Sequence, residues 1–126
     1  MKKILSGLAP KAIGPYSHAI QSGNLIFCSG QTPLNPVTMV IEGDTVTEQT
    51  MLVLANLETI LLAAGSDRTR VLKTSVFLKN FSDFEKMNKA YQNFFGDHKP
   101  ARTTVEVSRL PKDALVEIDC VAEVNS

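Results

Sequence analysis

The fold is decided by residues 102–124, which read RTTVEVSRLPKDALVEIDCVAEV. Polar and apolar side chains alternate on both sides of the Leu-Pro-Lys-Asp turn, and this predicts β-strands over residues 102–108 and 115–124. Every second residue from 116 to 124 is apolar, so one face of the later strand belongs in a core. The opposite face of that strand is shared by Glu117, Asp119, Val121 and Glu123.

The strand over residues 102–108 has two faces as well, with Arg102 and Thr104 on one and Val105 on the other. Because helices cover the apolar face of a sheet, we expect Arg102 and Thr104 to project from the face that helices leave open. Glu117 and Asp119 would project from the same face. That face is either solvated, with ion pairs worth about 0–1 kcal/mol each, or buried against another subunit in a small ring.

A first amphipathic helix is predicted over residues 46–64. Thr45 and Glu48 match a capping box, and Gly65 is placed to end the helix. Apolar residues recur at helical spacing between these signals. This stripe consists of Met51, Leu54, Leu57, Leu61 and Ala64.

A second helix is predicted from the Ser82-x-x-Glu85 capping box to Gly96. Its apolar stripe consists of Phe84, Met87, Tyr91, Phe94 and Phe95. Asn88 lies on this stripe, and a buried amide must find hydrogen-bond partners. It is either a pocket residue or a helix-edge residue that bonds a loop carbonyl.

A hairpin and one further strand complete the predicted order ββ, α, β, α, ββ. Residues 17–21 and 25–29 flank a Ser-Gly-Asn turn and predict a hairpin, and residues 71–79 predict a buried strand. The pattern indicates one α+β domain over residues 1–126, with two helices on one face of a mixed sheet and a strand-helix-strand crossover in the middle.

Composition excludes several classes of function. Thirteen basic residues balance thirteen acidic residues among 126, so a protein that binds nucleic acid through its phosphates is not expected. The longest strongly apolar run covers residues 60–64, and a membrane span needs about 20 residues. Residues 1–3 could open a signal peptide, but Ser6 and Gly7 interrupt any hydrophobic region, so we expect a cytoplasmic protein.

The cysteines and histidines give no sign of a metal site. Cys28 and Cys120 lie in apolar segments and are predicted to be reduced core residues, although a disulfide is the alternative. Neither they nor His18 and His98 form a cluster at metal-ligand spacing, so no metal is expected.

Several blocks of sequence, in the same order, resemble one family. The blocks are residues 12–17 (AIGPYS), 27–31 (FCSGQ), 83–88 (DFEKMN), 100–107 (PARTTVEV) and 110–113 (LPKD). The chain resembles the reactive intermediate deaminases of the RidA/YjgF family from residue 13 to residue 124. The resemblance implies a chorismate-mutase-like α+β fold with a mixed six-stranded sheet. It also implies a homotrimer with clefts between subunits.

The resemblance further implies an activity that uses no cofactor. The family hydrolyses 2-aminoacrylate and 2-iminobutyrate, which pyridoxal-phosphate dehydratases release, to 2-keto acids and ammonia. By the same resemblance, Arg102 would bind the substrate carboxylate and Glu117 would position or activate water. The substrate-binding residues would be Tyr16, Ser29, Gly30, Asn88 and Thr104. Many members have Cys in place of Thr104, whose contact is expected to run through the main chain.

The residue types suit this chemistry. The planar guanidinium of Arg102 can hold a carboxylate by two parallel hydrogen bonds. One carboxyl group, that of Glu117, can both activate water and return a proton to the departing nitrogen. His18 follows the Tyr-Ser pair and is expected at the surface or the pocket rim. The main alternative is a non-catalytic trimer that binds small 2-keto or 2-imino acids as a regulator. A ribonuclease or translation inhibitor is disfavoured by the zero net charge.

Overall fold

The computed structural model describes residues 1–125, which form six β-strands and two α-helices. The helices are α1 (Val46–Ala63) and α2 (Phe84–Phe95). The strands are β1 (Lys2–Ile4), β2 (Ala19–Ser22), β3 (Leu25–Gln31), β4 (Val71–Leu78), β5 (Ala101–Glu106) and β6 (Val116–Glu123). They form one sheet in the order β1-β2-β3-β6-β4-β5. Since β4 and β5 run parallel and the other neighbours antiparallel, the mixed α+β sheet with a β4-α2-β5 crossover is confirmed.

Strand β1 is the one strand that the sequence pattern does not reveal. It spans three residues and pairs with β2 from Lys2 opposite Gln21 to Ile4 opposite Ala19. A segment this short has no measurable alternation, so its strand character comes from pairing with the β2–β3 hairpin.

Helix α1 begins at the predicted capping box. The Glu48 amide donates to Thr45 Oγ1 at 3.2 Å, and Gly65 follows the helix with a φ of 78°. Met51 departs from the prediction, because it is 60% exposed. The buried face instead includes Gln49, whose side chain bonds Gly43 and Leu115. Buried polar residues that bond loops are invisible to a hydrophobic pattern.

The prediction that helix α2 begins at a Ser82 cap was wrong. A 3-10 turn over Phe81–Asp83 comes first, and Asp83 precedes the helix without a side-chain capping bond. The turn is held from outside, since the Phe81 amide donates to Glu106 Oε1 at 2.7 Å and the Phe81 and Phe84 rings stack at 5.0 Å. Gly96 ends the helix as predicted, with a φ of 63°.

Both helices cover one face of the sheet, as the alternation in β6 predicts. The apolar residues on that face of β6 are buried together with the inward side chains of α1 and α2. On the other face of the sheet Phe27 and Val105 are 46% and 39% exposed. This open face therefore combines apolar side chains with the carboxylates of Glu117 and Asp119.

The strand register corrects one prediction about the open face. Arg102 pairs with Thr74, which in turn pairs with Cys120 on the helix-covered face of β6. Thr104 follows the same alternation as Arg102, so both project toward α2 and not from the open face. The prediction failed because β5 is an edge strand, where half-buried polar residues are tolerated on the helix side.

The two cysteines are far apart in sequence but occupy directly opposite positions on β3 and β6. Both are buried free thiols, as predicted. A hydrogen bond with the neighbouring Cys28 thiol raises the pKa of Cys120, and burial raises it further. Neither of the helices in residues 1–125 is long and apolar enough to cross a membrane.

Candidate functional site

Arg102, Asn88 and Thr104 form an arginine cluster at the edge of the sheet. Arg102 and Asn88 line a cavity of about 550 Å³ beside the C-terminal half of α2. The Arg102 guanidinium lies 4.8 Å from the centre of the Tyr91 ring and 5.6 Å from that of Phe84. The two rings belong to α2 residues that flank Asn88 on the same stripe, so the helix places the amide beside the guanidinium.

The arginine cluster has unused hydrogen-bonding capacity. Asn88 Oδ1 and Thr104 Oγ1 are inaccessible to water and have no partner in the described part of the chain. A bond to a loop carbonyl would come from Asn88 Nδ2, and within residues 1–125 the Asn88 side chain makes no such bond, so the interpretation of Asn88 as a residue that bonds a loop carbonyl is not supported. Unpartnered buried polar atoms are rare in native proteins, and each one lowers the stability of the fold.

Glu117 and Gly30 meet on the open face of the sheet. A side chain at Gly30 would fit only if the Glu117 carboxylate moved, since its Cβ would lie 2.5 Å from Glu117 Oε2 and 3.0 Å from Glu117 Cδ. The register between β3 and β6 is irregular between Cys28 and Gln31, which brings the Gly30 backbone under the carboxylate. Burial raises the pKa of Glu117, and the negative charge of Asp119 raises it further.

Ser29 precedes Gly30 in β3, and Tyr16 lines a cavity together with Ser29. We call Tyr16, Ser29, Gly30 and Glu117 the glutamate cluster. Ser29 Oγ donates to the Ser17 carbonyl at 2.7 Å, which fixes the β3 strand against the preceding loop. Tyr16 is 47% exposed, and its ring packs against Gly14. Tyr16 and Ser29 line a second cavity of about 560 Å³.

His18 is not at the surface or the pocket rim, and that prediction was wrong. Its side chain is 3% exposed. Nδ1 accepts from the Ser6 amide at 2.9 Å, and Nε2 donates to the Pro10 carbonyl at 2.7 Å. These bonds fix the orientation of the ring and tie residues 6–10 to the start of β2, so His18 has a structural role.

The two clusters are separate within one chain. Arg102 pairs with Thr74 and Glu117 with Phe77, on opposite sides of β4 and on opposite faces of the sheet. Strand spacings of about 4.8 Å across and 3.3 Å along the sheet put their Cα atoms roughly 14 Å apart. A substrate with a four-carbon skeleton cannot contact both in a single chain.

Sequence reasoning missed the contribution of two aromatic residues. Phe84 and Tyr91 were assigned to the core stripe of α2, yet their rings contact the Arg102 guanidinium. Tyr91 Oη also bonds Thr74 Oγ1 at 2.7 Å. The one signal in the sequence for this role was the aromatic pair that flanks Asn88 on the same helix face. Core packing predicts the same spacing, so the pair did not point to Arg102.

The two-layer α+β fold is shared with known proteins. Residues 6–124 match the family model described as Endoribonuclease L-PSP. A RutC family protein of Pyrococcus horikoshii is 52% identical over 115 residues, which cover 90% of each chain. The YjgF gene product of E. coli has a TM-score of 0.93 and 42% identity, over 99% of this chain and 100% of that one.

E. coli TdcF, solved with bound serine, has a TM-score of 0.94 and 39% identity, over 99% of this chain and 100% of that one. Fold and site thus define a single-domain protein of the YjgF structural class. The chain belongs to the RidA/YjgF family. The family resemblance and the chorismate-mutase-like fold expected from the sequence are confirmed.

Proposed function

We propose that this protein hydrolyses reactive 2-imino acids and their enamine tautomers, such as 2-iminobutyrate and 2-aminoacrylate, to 2-keto acids and ammonia. Family membership supports this class of reaction. The substrates would come from pyridoxal-phosphate enzymes that dehydrate serine and threonine in the cytoplasm. The protein would act as a homotrimer without a cofactor or metal.

The observation that carries the proposal is the division of the site residues into two clusters on different faces of the sheet. In a ring of three copies, the arginine cluster of one subunit would meet the glutamate cluster of the next. Phe27 and Val105, exposed on the same face of the sheet as Glu117, are suited to burial against another copy.

Substrate binding would depend on the arginine cluster. The guanidinium of Arg102 has its N–H donors free within residues 1–125, so it can hold the substrate carboxylate through two parallel bonds. The side chain of Asn88, which lines the same cavity as Arg102, would lie beside the bound substrate and help to orient its C=N carbon. Fixing both ends of a small molecule converts an encounter with water into a positioned reaction.

Hydrolysis would depend on Glu117. Its carboxylate would take a proton from water as the water oxygen bonds to the imine carbon, which gives a carbinolamine. The protonated Glu117 carboxyl would then donate that proton to the nitrogen. As the C–N bond breaks, the carbinolamine hydroxyl would give its proton to the Glu117 carboxylate, so that ammonia leaves and a carbonyl remains. Ammonia or solvent would then take the proton from Glu117. A carboxyl group with a raised pKa is suited to both transfers, because it gains and loses a proton more evenly near neutral pH.

Turnover of 2-iminobutyrate, generated in the cuvette by a threonine dehydratase, tests the proposal. We expect Arg102→Ala and Glu117→Gln to lose most of the acceleration over the spontaneous reaction. Arg109→Ala, which removes an exposed arginine outside both clusters, is the matched control and should behave as wild type. Arg102→Ala that hydrolyses 2-iminobutyrate as fast as wild type would refute the proposal.

A second candidate function is a non-catalytic trimer that binds small 2-keto or 2-imino acids. It is favoured by one finding, that the similar protein TdcF was solved with bound serine, a small carboxylate-bearing molecule. This function needs Arg102 but not Glu117. It would gain support if Glu117→Ala kept wild-type turnover of 2-iminobutyrate while Arg102→Ala abolished binding of 2-ketobutyrate in calorimetry.

The family model carries the name of a ribonuclease, but the charge of this chain does not favour that activity. Thirteen basic residues are balanced by thirteen acidic ones, whereas RNA binding depends on a basic surface. Incubation of nuclease-free protein with total RNA tests this directly. We expect intact RNA, and cleavage that Arg102→Ala abolishes would reinstate the ribonuclease.

A further inference from the structure

The Arg102 guanidinium is oriented by aromatic rings and not by hydrogen bonds. Among the residues that the structure describes, it makes no hydrogen bond and no ion pair. Its Cζ lies 4.8 Å from the Tyr91 ring centre and 5.6 Å from that of Phe84. Stacking on a ring face leaves all five guanidinium N–H donors free while it limits the directions in which they point.

Tyr91 is in turn fixed at its far end. Its Oη bonds Thr74 Oγ1 at 2.7 Å, and Thr74 is completely buried. The Phe95 ring packs on Tyr91 at 4.7 Å and restricts its rotation. Thr74 is the residue of β4 that lies opposite Arg102 of β5. The bond from Tyr91 to Thr74 therefore connects α2 to the sheet directly beside Arg102, the residue that the Tyr91 ring orients.

We propose that Thr74 and Tyr91 form a buried pair that positions the Arg102 guanidinium for the substrate carboxylate. The identity of the carboxylate rests on the proposed function, but the positioning does not. Tyr91 is a positioning residue, because it acts through Arg102. Burial raises the pKa of Tyr91, so its hydroxyl stays neutral and keeps the bond to Thr74 at physiological pH.

The variants must separate positioning from stability. Tyr91→Leu removes the ring from Arg102. Tyr91→Phe alone would leave the Thr74 hydroxyl buried without a partner, so it is combined with Thr74→Val, which removes both partners at similar shape. Phe94→Leu is the matched control, because Phe94 stacks at 4.0 Å on a different arginine, Arg68.

The first readout needs no ligand. Relaxation of the ¹⁵N-labelled arginine Nε–H groups reports the order of Arg102, with Arg68 as an internal reference that Glu58 holds by an ion pair. We expect Tyr91→Leu to lower the order of Arg102 and leave Arg68 unchanged. Phe94→Leu should leave Arg102 unchanged. Wild-type order of Arg102 in Tyr91→Leu would overturn the proposal, whether or not the protein hydrolyses imines.

The second readout is kinetic. For 2-iminobutyrate we expect Tyr91→Leu to raise KM about tenfold, within the range of a desolvated cation–π contact, with kcat nearly unchanged. The double variant, which keeps the ring but loses its anchor, should give a smaller rise in KM. A double variant with wild-type order and wild-type KM would overturn the role of the Thr74 bond. Wild-type protein without turnover would refute the proposed function instead, and the relaxation result would still decide the positioning.

Discussion

The contact between Gly30 and Glu117 gives a quantitative prediction. A Cβ at Gly30 would lie 2.5 Å from Glu117 Oε2, where ordinary contacts begin at 3.4 Å. In Gly30→Ala the carboxylate must therefore move by about 1 Å, a misplacement that can cost about 100-fold in rate. The main chain of residue 30 keeps its own donors and acceptors, so the substitution changes the position of Glu117 and little else.

Stability should change much less than activity. The atoms that clash belong to the end of a side chain, which can rotate away, so we expect a loss in the free energy of unfolding of about 1 kcal/mol, the low end for an overpacked contact. Gly7→Ala is the matched control, because nothing lies within 4 Å of a Cβ at Gly7. It should keep both wild-type activity and wild-type stability.

The assay is steady-state hydrolysis of 2-iminobutyrate, followed beside thermal unfolding of the same samples. We expect Gly30→Ala to lower kcat by one to two orders of magnitude with little change in KM, since Arg102 is untouched. A Gly30→Ala protein with wild-type kcat would refute the assignment of the water-activating role to Glu117. A Gly30→Ala protein that unfolds at a much lower temperature would refute the local origin of the effect.

Four further outcomes are expected. Because Glu117 must be ionised to act as a base, kcat should rise with pH through its raised pKa, and Asp119→Asn, which removes a nearby negative charge, should shift this limb of the pH–rate profile to lower pH. The raised pKa also means that the folded protein holds the Glu117 proton more tightly than the unfolded chain does. Protonated Glu117 therefore contributes stability below the ordinary carboxyl pKa, and this contribution is lost as pH rises through the raised value. Glu117→Gln should accordingly gain more in melting temperature over wild type at pH 7 than at acidic pH. Thr104→Val should raise the free energy of unfolding by about 1 kcal/mol, because it removes a buried hydroxyl without a partner. It should leave binding of 2-ketobutyrate in calorimetry unchanged, because the substrate contact of this residue is expected to run through its main chain. The thiols of Cys28 and Cys120 should resist a thiol reagent in the folded protein and react at the rate of unfolding.

The sequence predicts most of the fold because the decisive segments are long and periodic. Strand β6 alternates over its whole length, and α1 carries both a capping box and a terminal glycine. The elements that escape prediction are set by tertiary contacts. Strand β1 exists through its pairing with β2, and the start of α2 is set by the bond from the Phe81 amide to Glu106.

Much of the candidate site could also be named from the sequence, but its arrangement could not. Arg102 and Glu117 are visible as charges on alternating strands, whereas their faces depend on register across β4. An edge strand buries neither face fully, so alternation alone does not reveal which face of β5 turns toward α2. The ring of Tyr91 has a role in orienting Arg102 that its position on an apolar stripe conceals.

The central claim is that the site is assembled from two subunits, one that contributes Arg102 and another that contributes Glu117. Mixing unfolded Arg102→Ala and Glu117→Ala chains in equal amounts and refolding them together tests it most directly. Random assembly of trimers would pair an intact Arg102 with an intact Glu117 at about one quarter of the interfaces, so about one quarter of wild-type activity should return. A mixture with no more activity than the separate variants would contradict the claim, because every site would then lie within one chain.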